Sequence, residues 1–118
     1  MALSRIVMRL ARNPGTEFAD GDDHRGFTLT APLTAEGKLD GAAARKGGCK
    51  VRRFAPADDI DEGVLGFDGK RWTFAYDGDD PEPAPHLGDH RFAVGEYVSL
   101  PDDDGRLLAY KVTEIIAL

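Results

Sequence analysis

Asp68-Gly69 sits between two apolar runs, one ending at Phe67 and one running from Trp72 to Tyr76. An Asp-Gly pair in that setting predicts a two-residue hairpin turn, because both residues tolerate the positive φ angles such a turn requires. The turn would pair Phe67 with Lys70, Gly66 with Arg71 and Leu65 with Trp72. One face of the hairpin then carries Leu65, Phe67, Trp72, Phe74 and Tyr76, and the other Val64, Gly66, Arg71, Thr73 and Ala75. Alternation within each strand, taken separately, gives the same division, and a one-residue slip would destroy it. A hairpin with one greasy face is not stable by itself in water, so the rest of the chain must supply strands that cover it.

The C-terminal quarter repeats the pattern. Phe92 to Leu100 and Leu107 to Ile116 are rich in β-branched and aromatic residues and flank the turn cluster Pro101 to Arg106. Asp103-Asp104-Gly105 suits a short loop ending on a glycine in the left-handed region. Period-two alternation places Val94, Val98 and Leu100 on one face, opposite Leu108, Tyr110, Val112 and Ile116.

Further strands follow from the same argument. Ile6, Met8 and Leu10 share one side of a first strand that Asn13-Pro14-Gly15 stops. Thr16 to Arg25 is polar and acidic and reads as an exposed loop, after which Phe27, Leu29, Ala31 and Leu33 alternate with threonines. Pro32 makes that second strand an edge strand or ends it early. Asp40 can cap a short helix through Ala42 to Lys46, with Gly47 as its left-handed stop. Cys49 to Phe54 reads as a third strand whose alternation breaks at Arg53-Phe54, the place for a bulge or a functional side chain. Asp77 to His90 has three prolines within five residues and reads as a long loop. The expected fold is mainly β, a small antiparallel β-barrel of six or seven strands with one short helical turn, in one domain spanning residues 1–118. A two-layer β-sandwich is the alternative.

Charge narrows the partners. The chain carries −6, which weighs against non-specific attachment to nucleic acid or anionic membrane. Yet Lys38, Arg45, Lys46, Lys50, Arg52 and Arg53 face a single acid, Asp40, within one stretch; that stretch holds +5 and the remainder −11. The acids gather at 20–23, 58–62, 77–82 and 102–104. Cys49 is the only cysteine, so no internal disulfide can form and a reducing, cytoplasmic setting is expected. Arg5, Arg9 and Arg12 interrupt the N-terminal apolar stretch, and no run of about 20 apolar residues suggests a membrane span.

The pattern formed by Leu33-Thr34 to Leu39-Asp40, Cys49 to Phe54, Trp72 to Tyr76, His90-Arg91-Phe92 and Gly95 to Ser99 resembles a group of small bacterial proteins. It covers most of the chain and implies no activity and no site.

No spacing in the sequence commits the chain to a reaction or names a cofactor. His86 and His90 stand four apart, a metal-ligand spacing only on a helix, and Pro85 and Gly88 oppose one there. Placing Gly105 at the sixth position of a calcium loop puts Leu100 and Lys111 where ligands belong. Cys49 lies beside Lys46, Lys50 and Arg52, which would activate a thiol that also found a histidine base, whereas a structural cysteine is simply buried. The basic stretch with Phe54, Trp72 and Tyr76 has the outline of a single-stranded nucleic-acid platform of the OB type, although Trp72 and Tyr76 fall on the core face. Alternatively Arg52 and Arg53 pair with the acidic loops. The resulting expectation is a binding or interaction module for a protein or small anion. Its contact residues would be Arg45, Lys50, Arg52 and Arg53, with His90 and Arg91 lining a pocket beside the 77–90 loop.

Overall fold

The computed structural model describes residues 2–57, 59–102 and 104–118. Eight strands run through them: β1 (Ser4–Leu10), β2 (Asp22–Ala31), β3 (Lys50–Ala55), β4 (Asp59–Phe67), β5 (Trp72–Tyr76), β6 (Glu82–Pro83), β7 (Tyr97–Pro101) and β8 (Leu107–Ala117). They form one antiparallel sheet in the order β6-β5-β4-β3-β2-β1-β8-β7, curled into a half-barrel. The fold is therefore mainly β with one short helical turn, α1 (Gly41–Ala44), whose first turn Asp40 caps by accepting from the Ala43 amide. The strand count exceeds the expected six or seven because β6 lies inside the proline-rich segment. The expected long loop holds this strand and a single 3-10 turn at Leu87–Asp89.

The inner face is the core. Ile6, Met8, Phe27, Leu29, Phe74, Leu100 and Val112 are fully buried there, joined by Val51, Leu65, Trp72, Val98, Leu108 and Tyr110. Every strand except the two-residue β6 contributes residues to this face, so the two-faced pattern in the sequence becomes the wall of the half-barrel. At its two edges, hydrogen-bonding groups are covered locally. Pro81, Pro83 and Pro85 crowd the β6 edge, where a proline has no amide to offer another strand. On the β7 edge the Ser99 amide donates to Nε2 of His90 at 3.2 Å.

Register departs from expectation in two instructive ways. The β4–β5 hairpin pairs Phe67 with Trp72 and Leu65 with Phe74, two residues along from the arrangement predicted by a turn centred on Asp68-Gly69. Asp68 is the residue before the bend: its Oδ1 accepts from the amides of Lys70 and Arg71, and Gly69 takes the positive φ of 99°. A two-residue shift keeps every side chain on its face, so the predicted core set survives. The second departure lies in β8, where register against β1 slips between Val7 and Met8, leaving Thr113 as an extra residue. That bulge inverts the phase, so Ile115 packs against the core and Ile116, expected inside, is exposed. Val94, expected on the inner face, is exposed as well because β7 begins only at Tyr97.

Two further segments are corrected. β2 starts at Asp22, within the stretch expected to be a loop, and it ends at Ala31, just before Pro32. β4 reaches back to Asp59, because its acidic first half pairs regularly with β3. At the β7–β8 turn the carboxylate of buried Asp102 accepts from the amides of Asp104 and Arg106, and Gly105 has φ 77°. Asp103 of the expected turn lies outside the described residues.

Gly26 on β2 marks the tightest approach within the sheet. A Cβ there would stand 1.9 Å from the Met8 carbonyl oxygen and 2.8 Å from the Phe54 ring. Backbone cannot swing away as a side chain can. Gly26→Ala is expected to lower unfolding free energy by about 1–3 kcal/mol, read from the urea midpoint at unchanged m-value.

Candidate functional site

β3 splits the predicted basic surface in two. Its pairing with β2 and β4 runs without a shift, so the break at Arg53-Phe54 is not a bulge. Alternation continues, and what changes is polarity: Cys49, Val51 and Arg53 point inward, and Lys50, Arg52 and Phe54 point outward. A charged side chain thus faces the interior and an aromatic one faces solvent.

Arg53, whose side chain is 21% exposed, donates from Nη2 to Oδ2 of Asp61 at 2.8 Å, and its guanidinium lies 4.7 Å from the ring centre of Tyr76. Burial raises the Tyr76 hydroxyl pKa far above its ordinary value, so that group stays protonated. These residues belong to the open end of the half-barrel, where a cavity of about 180 Å³ is lined by Arg53, Asp61, Tyr110, Leu108, Arg25 and Arg106 among others. Each arginine of the cavity has a carboxylate partner. Arg25 meets Asp22 at 3.2 Å, while Arg106 donates to Asp102 from Nε at 3.0 Å and to Glu17 from Nη2 at 2.7 Å. The last pair ties the loop after β1 to the β7–β8 turn, and Asn13 strengthens the tie by exchanging hydrogen bonds with the Ala109 backbone. The arginines at this end, Arg25, Arg53 and Arg106, are paired, and Glu17, Asp59, Asp61, Asp102 and Asp104 leave it net acidic. Its chemistry closes the fold.

The outer face differs. Cross-strand pairing lines up three rows of outward residues. One is Ile116, Arg5, Thr30, Lys50, Val64 and Ala75. The second is Glu114, Val7, Thr28, Arg52 and Glu62. The third is Tyr97, Lys111, Arg9, Gly26, Phe54 and Ile60. Arg5, Arg9, Lys50, Arg52 and Lys111 therefore share one surface with Glu62 and Glu114. At its β8 side Asp20, Asp22 and Asp23 line a groove with Arg9, Lys111 and Tyr97, where Arg9 donates from Nη1 to the Asp23 carbonyl at 2.8 Å. Arg52 approaches Glu62 at 3.8 Å across exposed surface, a contact worth little in water. The Arg9 guanidinium lies over Phe54 at 5.7 Å, and the Lys111 ammonium over Tyr97 at 6.0 Å. Phe54 in turn rests above Gly26, where no side chain lifts it from the sheet.

The remaining candidates are dispersed. Arg45 caps the C-terminal end of α1, and its guanidinium reaches toward Gly69. Arg91 lies against Gly37. His90 is engaged by the Ser99 amide, so its Nε2 carries no proton, and burial holds its pKa below the ordinary histidine value. His86 is exposed, with Nδ1 3.4 Å from Asp89. The groove beside the 77–90 segment is lined by Phe67, Trp72, Leu87, His86 and Lys70, and by no residue of β3, nor by His90 or Arg91. The expected pocket is thus assembled from other residues, and the basic strand does not share it. Among the described residues, no three His, Cys, Asp or Glu side chains gather in a way that could hold a metal ion. Cys49 is 2% exposed, and burial raises its thiol pKa, opposite to what a nucleophile needs. Trp72 and Tyr76 are core residues, as their face in the hairpin predicts.

Sequence reasoning missed Arg5, Arg9, Lys111 and Tyr97 as companions of Lys50 and Arg52. Their alternation opposite Ile6, Met8 and Tyr110 was readable; their adjacency to β3 was not, because it depends on β1 lying between β2 and β8. No described helix is long and apolar enough to cross a membrane. No protein-family model matches the chain, and no curated protein or solved structure gives a match.

Two measurements test these assignments. The hydrogen bonds from Arg106 hold the Glu17 carboxyl down to about 2 from 4.5. A lowered folded-state pKa stabilises the fold above the unfolded value, and that contribution is lost as pH falls from about 4.5 toward 2. An NMR titration of Glu17 should show a midpoint near that low value in the wild type and a return toward the ordinary range in Arg106→Gln. For Cys49, a thiol reagent at neutral pH should react at the rate of chain opening, far slower than with the urea-unfolded chain; full reaction within seconds of mixing with native protein would contradict the burial.

Proposed function

We propose that the chain is a binding module whose contact surface is the outer face of the sheet, centred on Lys50 and Arg52, and whose partner is anionic. The observation that carries this reading is the concentration of Arg5, Arg9, Lys50, Arg52 and Lys111 on one face of a chain whose total charge is −6. Folding gathers cations that are distant in the sequence. Glu17, Asp59, Asp61, Asp102 and Asp104 line the open end, and the cations of three different strands meet on the convex side.

Such an arrangement has a cost that points to use. Like charges on neighbouring strands repel, and a surface with no partner gains nothing from gathering them. An approaching polyanion is drawn by their summed field and releases counterions on binding. Arg45, Arg53, His90 and Arg91 fall outside this contact set: Arg53 faces inward to Asp61, and the other three sit on the helix end and the loop before β7. The proposed contact set keeps Lys50 and Arg52 and extends toward β1 and β8.

Heparin is a suitable generic probe. The wild type should be retained on a heparin column at low salt and elute as salt rises. The double variant Lys50→Glu, Arg52→Glu, checked for native circular dichroism, should pass through unretained. Wild-type protein in the flow-through at low salt would overturn the reading.

A further inference from the structure

The third outer row holds more than charge. From edge inward it presents Tyr97, Lys111, Arg9, Phe54 and Ile60, with the small Gly26 between Arg9 and Phe54. Tyr97 is 60% exposed, an unusual position for so large a ring on a folded surface. Each of the two rings carries a cation beside it, Lys111 on Tyr97 and Arg9 on Phe54. The adjoining rows add Arg52, two residues along β3 from Phe54 and about 7 Å away, and Lys50 and Arg5, four residues along their strands from Phe54 and Arg9 and about 13 Å away.

Resting on the reading above, we infer that the partner of this face is a single-stranded nucleic acid, whose bases stack on Tyr97 and Phe54 while its phosphates meet Arg5, Arg9, Lys50, Arg52 and Lys111. Rings and cations in alternation match a polymer that alternates flat apolar bases with anionic phosphates. An acidic polypeptide would satisfy the cations and leave the rings without a flat partner. A duplex hides its base faces, and a convex sheet offers no element narrow enough for its grooves. Tyr97 and Phe54 stand four strand steps apart, about 19 Å, so they would hold bases that are not neighbours along the strand. The acids of the open end lie on the concave side, where salt screens those more than a Debye length, about 10 Å, from the outer face, whereas Asp20, Asp22 and Asp23 border the Tyr97–Lys111–Arg9 groove and weaken its pull on phosphate.

The test is fluorescence anisotropy with a labelled oligothymidine of about twelve nucleotides, a site size typical of small β platforms. Duplex DNA of equal length, heparin and polyglutamate serve as the other probes. Single-stranded DNA should bind at low salt, with log affinity falling against log salt at a slope of about −2 to −3.5 for three to five phosphate contacts. Tyr97→Ala and Phe54→Ala should each weaken oligothymidine binding roughly five- to a hundredfold and leave heparin retention unchanged. Both residues lie on the surface, and native circular dichroism excludes misfolding. Equal loss for heparin, no loss in either variant, or equal or tighter binding of duplex or polyglutamate would overturn the inference and leave the anionic-partner reading in place. Binding of neither heparin nor oligothymidine would overturn both.

Discussion

The curl of the sheet depends on Phe27. Its ring sits 5.7 Å from Phe74 on β5 and 5.1 Å, edge-on, from Tyr110 on β8. Those two strands are five places apart in the sheet order, so no pairing of backbone brings them together. One fully buried side chain from β2 spans the interval. Sheets twist of their own accord, but a twist alone leaves the inner faces wet. Aromatic packing across the interior favours the curled form, and burial of the residues on either side of Phe27 follows from it. Removing inner-face apolar surface from water supplies the driving force, at roughly 25 cal/mol per Å².

Curling also explains why charge divides as it does. Inside a half-barrel, the apolar layer fills the middle and the open end remains accessible to water. Arg53 and Asp61 lie at that end and pair with each other, and Arg106 joins Glu17 and Asp102 in the same region. Charges at such a place need partners because they are partly desolvated, and each has one. The convex side imposes no such requirement. Arg52 there meets Glu62 only at 3.8 Å across exposed surface, and Arg9 meets the Asp23 carbonyl and the Phe54 ring rather than a carboxylate, so the same residue type is paired on one side and less constrained on the other.

How much of this was legible follows from the nature of each signal. Local alternation revealed the faces of β4, β5 and β1, and it did so even where the hairpin register was off by two residues, since parity is insensitive to an even shift. Parity failed at Val94, which lies ahead of the strand, and at Thr113, where the backbone itself inserted a residue and nothing in Val112-Thr113-Glu114-Ile115 distinguishes a bulged strand from a regular one. Strand ends were hidden by composition. Asp22 to Arg25 and Asp59 to Glu62 look like loops, yet Asp59 to Glu62 pairs regularly with β3, and Asp22 pairs with Leu10 across an irregularity that skips Asp23 to Arg25. Arg53-Phe54 was visible as an anomaly, and its cause, a charge pointing in and a ring pointing out, emerges only once Asp61 and Gly26 are placed beside them.

The outer surface was the least legible part for a reason of topology. A sequence can show that Arg5, Arg9, Lys50, Arg52 and Lys111 all point away from apolar neighbours, but alternation says nothing about which strands are adjacent. Insertion of β1 between β2 and β8 is a long-range choice joining the two ends of the chain. It aligns Arg9 with Lys111 on one side and, through Gly26, with Phe54 on the other. Gly26 matters twice here: absence of its side chain permits the close approach of Met8 and also lets Phe54 lie flat beside Arg9. The same residue that lets the strands pack closely leaves the outer surface flat, so the proposed contact face and the fold share a single steric requirement.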